Sequence, residues 1–107
     1  MTRYFHSTTW EAVVGILLNG FNNGHGQVIG GIELVGVWLA DRPLSGNEGC
    51  KGDDLLSIDL PDDLDLDEYE LVEEGKPYRE WCVPAAIVNT GVVEHHGYAP
   101  AYEEDSP

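Results

Sequence analysis

Only one stretch of this chain carries helical periodicity: TTWEAVVGILLNGF, residues 8–21. Trp10, Val13, Val14, Leu17 and Leu18 recur at the spacing of one helix face. Thr8 with Glu11 three residues on has the form of a capping box. Gly20 is placed to end the helix in the left-handed conformation, with Phe21 folding back onto the apolar face. Everything downstream is short: runs of strand formers separated by Gly, Pro, Asn and Asp, with no regular helical segments between them to carry crossovers. Strands so connected pair antiparallel, and one helix beside them makes an α+β fold.

The strand candidates follow in order. RYFHST (3–8) opens the chain, and IELVGVWLA (32–40) is almost continuously apolar, which places it centrally. DLLSIDL (54–60) alternates. YREWCVP (78–84) runs to a break at Pro84, with AIV (86–88) as a short continuation, and GVVEHHGY (91–98) makes a last edge strand. Between them NNGHGQVIGG (22–31), with four glycines, and DRPLSGNEGCKGD (41–53) read as loops. The acidic PDDLDLDEYELVEEGKP (61–77) begins as a turn and ends as a short strand. Residues 1–99 form one domain, and 100–107 an acidic tail.

Charge narrows the function classes. The 107 residues carry a net charge of −15, with nine carboxylates and no base between Asp59 and Glu74. Such a chain repels nucleic-acid phosphates and anionic membranes at long range. No apolar run is long enough to span a bilayer, and without a basic segment followed by a long apolar one at the start, export by a signal peptide is not expected. Cys50 and Cys82 read as free thiols, so the expected compartment is the cytoplasm. Metal binding is not expected. Asp63, Asp65 and Asp67 imitate a calcium loop but lack its glycine and its glutamate. The adjacent His95 and His96 point to opposite faces of a strand, and His25 adds no zinc spacing.

Three residues remain as candidates for chemistry, each with a plain alternative. His6 stands just before the helix, where a structural role suits it equally. Trp38, in GVWLADRPLSGNEG (36–49), is either core or the wall of a pocket at the head of a glycine-rich loop. Glu80 lies in an otherwise apolar strand, on the same face as Cys82 and opposite Trp81 and Val83. Facing inward it needs a partner or a purpose; facing outward it is an ordinary surface glutamate.

Taken in order, YFHST, a helix ending in NGF, GVWLADRPLSGN and YREWCVP resemble the ADP-ribosyltransferase superfamily. The likeness is to the branch with a His-Tyr-Glu triad that includes the poly(ADP-ribose) polymerases. It covers roughly residues 3–88. Ser7 stands where that family has glycine, and Trp38 where it has tyrosine. The resemblance implies an ADP-ribosyltransferase-like α+β fold of two small antiparallel β-sheets with one main N-terminal helix, and NAD bound in the cleft between the sheets. It implies that His6 binds the adenosine ribose and that Trp38 stacks near the nicotinamide. Glu80 would hold the nicotinamide ribose and stabilise its oxocarbenium-like transition state. Ser7, Thr8, Ala40, Arg42 and Ser45 complete the implied cofactor-binding set. Arg42 and Arg79 are each placed to offset the acidic field for a pyrophosphate, and each equally suits a surface role. The implied activity is mono-ADP-ribosylation of a protein or small-molecule acceptor. Two alternatives stand beside it: a non-enzymatic acidic binder, as DNA mimic or regulatory partner, and an RNA 2′-phosphotransferase-like enzyme.

Overall fold

The computed structural model describes residues 1–29, 31–44 and 52–98, with the backbone alone for 26–29. The elements are β1 (Thr2–Thr8), α1 (Trp10–Asn19), β2 (Gly24–Ile29), β3 (Ile32–Ala40) and β4 (Asp54–Leu60), followed by a 3-10 turn (Asp67–Tyr69), β5 (Glu70–Leu71), β6 (Glu80–Val83), α2 (Ala85–Val88) and β7 (Val92–Tyr98). Every strand pairing is antiparallel. The α+β class is therefore as expected. The expectation of two separate sheets is corrected: the strands form one sheet in the order β5-β6-β3-β1-β4-β7, with β2 paired to β3 off that path. The junction between its halves is narrow. β1 pairs with β4 along its whole length, from Thr2 opposite Leu60 to Thr8 opposite Asp54, but meets β3 at the single pair Phe5 and Ala40. Beyond that pair the strands part, and the sheet is notched.

Strand alternation builds the core on one face. Leu56, Ile58 and Leu60 of β4 share it with Val37 and Leu39 of β3 and with Trp81 and Val83 of β6. Register enforces this, since Leu39 lies opposite Trp81 and Val37 opposite Val83. Tyr4 closes edge-on against Trp81 with ring centroids 5.1 Å apart. That burial pushes the Tyr4 phenol above its ordinary pKa.

The helix forms where its sequence dictates but is capped one residue later than expected. Thr9, not Thr8, accepts from the Ala12 amide, at 3.3 Å. Thr8 is the last residue of β1, opposite Asp54, and Thr9 is still extended, so Trp10 is the first helical residue. Gly20 ends α1 at φ 85°, and the buried Phe21 follows. An asparagine from far along the chain then clamps this turn. Asn89 Oδ1 accepts from Phe21 N at 2.7 Å, and its Nδ2 donates to Phe21 O at 3.0 Å.

The orientation of α1 departs from the periodicity. Of its five expected core positions only Val13 is buried; Trp10, Val14, Leu17 and Leu18 are exposed. Val13, Ile16 and Phe21 make the contact with the sheet.

Two further expectations are corrected. Residues 24–29, read as part of a glycine-rich loop, form β2, because the adjacent edge of β3 supplies hydrogen-bonding partners that local composition does not reveal. The residues after Pro84 form α2 rather than continuing the strand. Pro84 is the N-cap, and in place of a side chain of its own Asn23 Oδ1 caps the helix by accepting from Ala85 N at 2.8 Å. β4, the central β3 and the terminal edge strand β7 lie where the sequence puts them. Among the described residues no helix is long and apolar enough to cross a membrane.

Candidate functional site

The notch between β1 and β3 opens into a cleft of about 720 Å³. One wall is the end of β1 with the inner side of α1 (Ala12, Gly15, Ile16, Asn19), and the other is β3 from Gly36 to Ala40. The turn after α1 (residues 20–22), Gly24, Leu44, Glu73, Lys76 and Glu80 also line it. His6, Trp38 and Glu80 come from three strands far apart in sequence and line the same cleft.

His6 spans the notch. Its Nδ1 lies 2.7 Å from the Trp38 carbonyl oxygen. A carbonyl can only accept, so Nδ1 carries the proton and the neutral ring keeps an acceptor lone pair on Nε2. Burial lowers the His6 pKa below its ordinary 6.5, and the bond to the Trp38 carbonyl partly opposes that shift. The ring also meets Phe21 edge-on, with centroids 5.4 Å apart. At neutral pH the cleft therefore presents an uncharged, oriented imidazole.

Glu80 sits opposite Ala40 on β3 and Leu71 on β5, its side chain 14% exposed. Lys76 holds it: Nζ lies 2.9 Å from Glu80 Oε1 and 3.1 Å from Glu73 Oε1. Hydrogen bonding to Glu80 foremost, with Glu73 adding to it, keeps the ammonium well above the usual lysine pKa, against the opposing effect of burial. Lys76 also lies 5.4 Å from the centre of the Tyr78 ring. Two carboxylates against one ammonium, beside a neutral histidine, leave the described lining with a net negative charge.

The remaining expected site residues divide. Thr8 and Ala40 are buried and line the cleft. Ser7 lines it too, but its hydroxyl donates to the Leu44 carbonyl and so ties down the start of the following loop. Arg42 is not part of the lining; its guanidinium lies 5.6 Å from the centre of the Tyr78 ring. Arg79 binds both carboxylate oxygens of Glu70, at 2.8 and 2.7 Å, and lies over Trp81 on the core face. Ser45 lies outside the described residues, as do Cys50 and the tail.

Lys76 and Glu73 were not singled out by sequence reasoning. The available signal was spacing: Glu73, Lys76 and Glu80 stand three and four residues apart. It was masked by the neighbouring acidic run, in which one lysine looks like a surface counter-charge. Among the described residues no group of three or more His, Cys, Asp or Glu is arranged to hold a metal ion.

The chain is thus a small α+β domain with one antiparallel sheet, notched at its centre, and a cleft lined by an oriented histidine, by Trp38 and by a lysine-paired glutamate. No family model matches it, and neither the curated proteins nor the solved structures contain a match.

Proposed function

We propose that the cleft binds NAD and that the chain is a minimal mono-ADP-ribosyltransferase acting on a protein or small-molecule acceptor. The observation that carries this reading is the convergence of His6, Trp38 and Glu80 on one cleft, in the order and on the strands of the motifs that resemble that superfamily. In this reading the Nε2 lone pair of His6 accepts from a ribose hydroxyl. The Trp38 indole offers a face to the nicotinamide ring. Glu80 holds a hydroxyl of the nicotinamide ribose.

The bond between nicotinamide and ribose breaks, its electron pair leaving on the nicotinamide nitrogen, and positive charge grows on the ribose. Glu80 is fixed beside that charge before it develops, so it stabilises the transition state more than the ground state. The net negative lining acts in the same sense. An acceptor nucleophile then bonds to the anomeric carbon and gives up its proton. Lys76, as the one lysine or arginine among the described lining residues, pairs with the Glu80 carboxylate and holds it in place. The described lining contains no arginine, which counts against an RNA 2′-phosphotransferase built on paired arginines and histidines.

The test is nicotinamide release from NAD by the purified chain and by Glu80→Gln, with NAD binding of both followed by calorimetry. The proposal expects release from the parent chain, binding by both, and loss of release in the variant by at least about a hundredfold. Absence of NAD binding by the parent chain overturns it.

A further inference from the structure

The helix that walls the cleft also presents an apolar stripe to solvent. Trp10 is 56% exposed, Val14 39%, Leu17 51% and Leu18 77%. These are positions i, i+4, i+7 and i+8, one continuous face. Four neighbouring large apolar side chains left in water on one helix form an interaction-type patch rather than scattered surface residues. Its surroundings are anionic. Glu11 is exposed on the first turn of the same helix. Beside Trp10 stands His95, with ring centroids 5.5 Å apart, and His95 Nε2 lies 3.3 Å from Asp54 Oδ1. α1 and the neighbouring strands β4 and β7 contain no lysine or arginine. The described arginines and the lysine lie elsewhere: Arg3, Lys76 and Arg79 pair with carboxylates, and Arg42 lies over Tyr78. A second copy of the chain is a poor occupant, since each copy brings a net charge of −15.

We propose that this face of α1 docks a basic amphipathic helix of a partner protein. The partner's apolar stripe covers Trp10, Val14, Leu17 and Leu18, and its Lys and Arg side chains meet Glu11 and Asp54. The proposal stands apart from the chemistry of the cleft. Its consequence for the cleft is positional: because α1 is a cleft wall, the docked partner lies beside the opening.

The probe is a synthetic leucine–lysine amphipathic helix of about 18 residues, titrated into the full chain by calorimetry and by the change in tryptophan fluorescence, with Trp10→Phe identifying the part due to Trp10. The control is a leucine–glutamate helix of equal length. Because the acidic segment 59–74 also attracts cations, the deciding comparison is the double variant Leu17→Ser/Leu18→Ser, which keeps every charge. The expected result is binding of the lysine peptide only. Affinity should fall about tenfold in the double variant and several-fold in Glu11→Lys, with both variants folded by circular dichroism. Three results overturn the proposal: no binding; binding unchanged in the double variant, which places the peptide on the acidic segment; or sedimentation showing a dimer of the parent chain that the double variant dissolves, which makes the occupant a second copy.

Discussion

The pair that sets the electrostatics of the cleft is Lys76 with Glu80, and its contribution can be worked out. At 2.9 Å and an effective dielectric constant of about 20, the gross attraction is about 6 kcal/mol. Most of this is offset by removing the carboxylate from water. The Glu80 side chain is only 14% exposed, whereas Lys76 is 32% exposed and partly solvated. The net coupling should therefore exceed that of a typical surface pair, at about 1 kcal/mol, and fall well short of a fully buried one. Lys76→Met keeps the stem and removes the charge. It leaves Glu80 and Glu73 facing each other without compensation, and should cost about 1–2 kcal/mol, a fall in Tm of roughly 4–10 °C for a chain of this size. Glu80→Gln keeps the shape and should cost less. The double variant should be more stable than the sum of the two predicts, by that same coupling of about 1 kcal/mol. Urea unfolding of the four proteins at matched ionic strength measures this. A coupling indistinguishable from zero, or a Lys76→Met variant more stable than its parent, would refute the claim that Lys76 is the electrostatic support of Glu80.

Other expectations can be checked in parallel. Trp81 is 5% exposed and holds Tyr4 on one side and Arg79 on the other, so Trp81→Ala should cost about 3–5 kcal/mol in the same unfolding assay. Glycine substitutions should split by site. Gly52→Ala puts a Cβ 2.5 Å from the Thr8 carbonyl oxygen, with backbone on both sides of the clash, and should destabilise by about 1–3 kcal/mol or more. Gly15→Ala, mid-helix with nothing within 4 Å, should instead stabilise by up to about 1 kcal/mol. The folded pKa of His6 is depressed, so its contribution to stability is complete above 6.5 and is lost as pH falls through the folded value. His6→Gln should therefore flatten the decline of unfolding free energy on the acid side of neutrality, relative to the parent chain. Finally, if NAD binds, its affinity should rise several-fold with salt, because shortening the Debye length from about 30 Å to about 8 Å screens its pyrophosphate from a chain of net charge −15.

What the sequence made legible follows from where the determinants lie. α1 was readable because its start, period and stop are local: a threonine, an i, i+3, i+4 pattern and Gly20. Its facing was not. Two apolar stripes overlap on one short helix, and only the sheet decides that Val13 and Ile16 go inward while Leu17 and Leu18 do not. β2 and α2 failed for the same kind of reason. The pairing of β2 is supplied by β3, and the start of α2 by Asn23, 62 residues before Ala85. At the cleft, His6, Trp38 and Glu80 each suit a plain structural role taken singly, and could be picked out only by the order in which their short motifs follow one another. Lys76 could not, because its role depends on a turn that brings it onto Glu80, and in sequence it is one base beside an acidic run.

The most direct test of the account is an NMR titration of the labelled chain with NAD, read at the His6 ring, the Trp38 indole N–H and the Glu80 amide, with the Leu18 methyl groups on the outer face of α1 as reference. The account predicts saturable shifts of the three cleft residues, and little change at Leu18. An unperturbed spectrum at millimolar NAD, or shifts confined to residues outside the cleft, would contradict it.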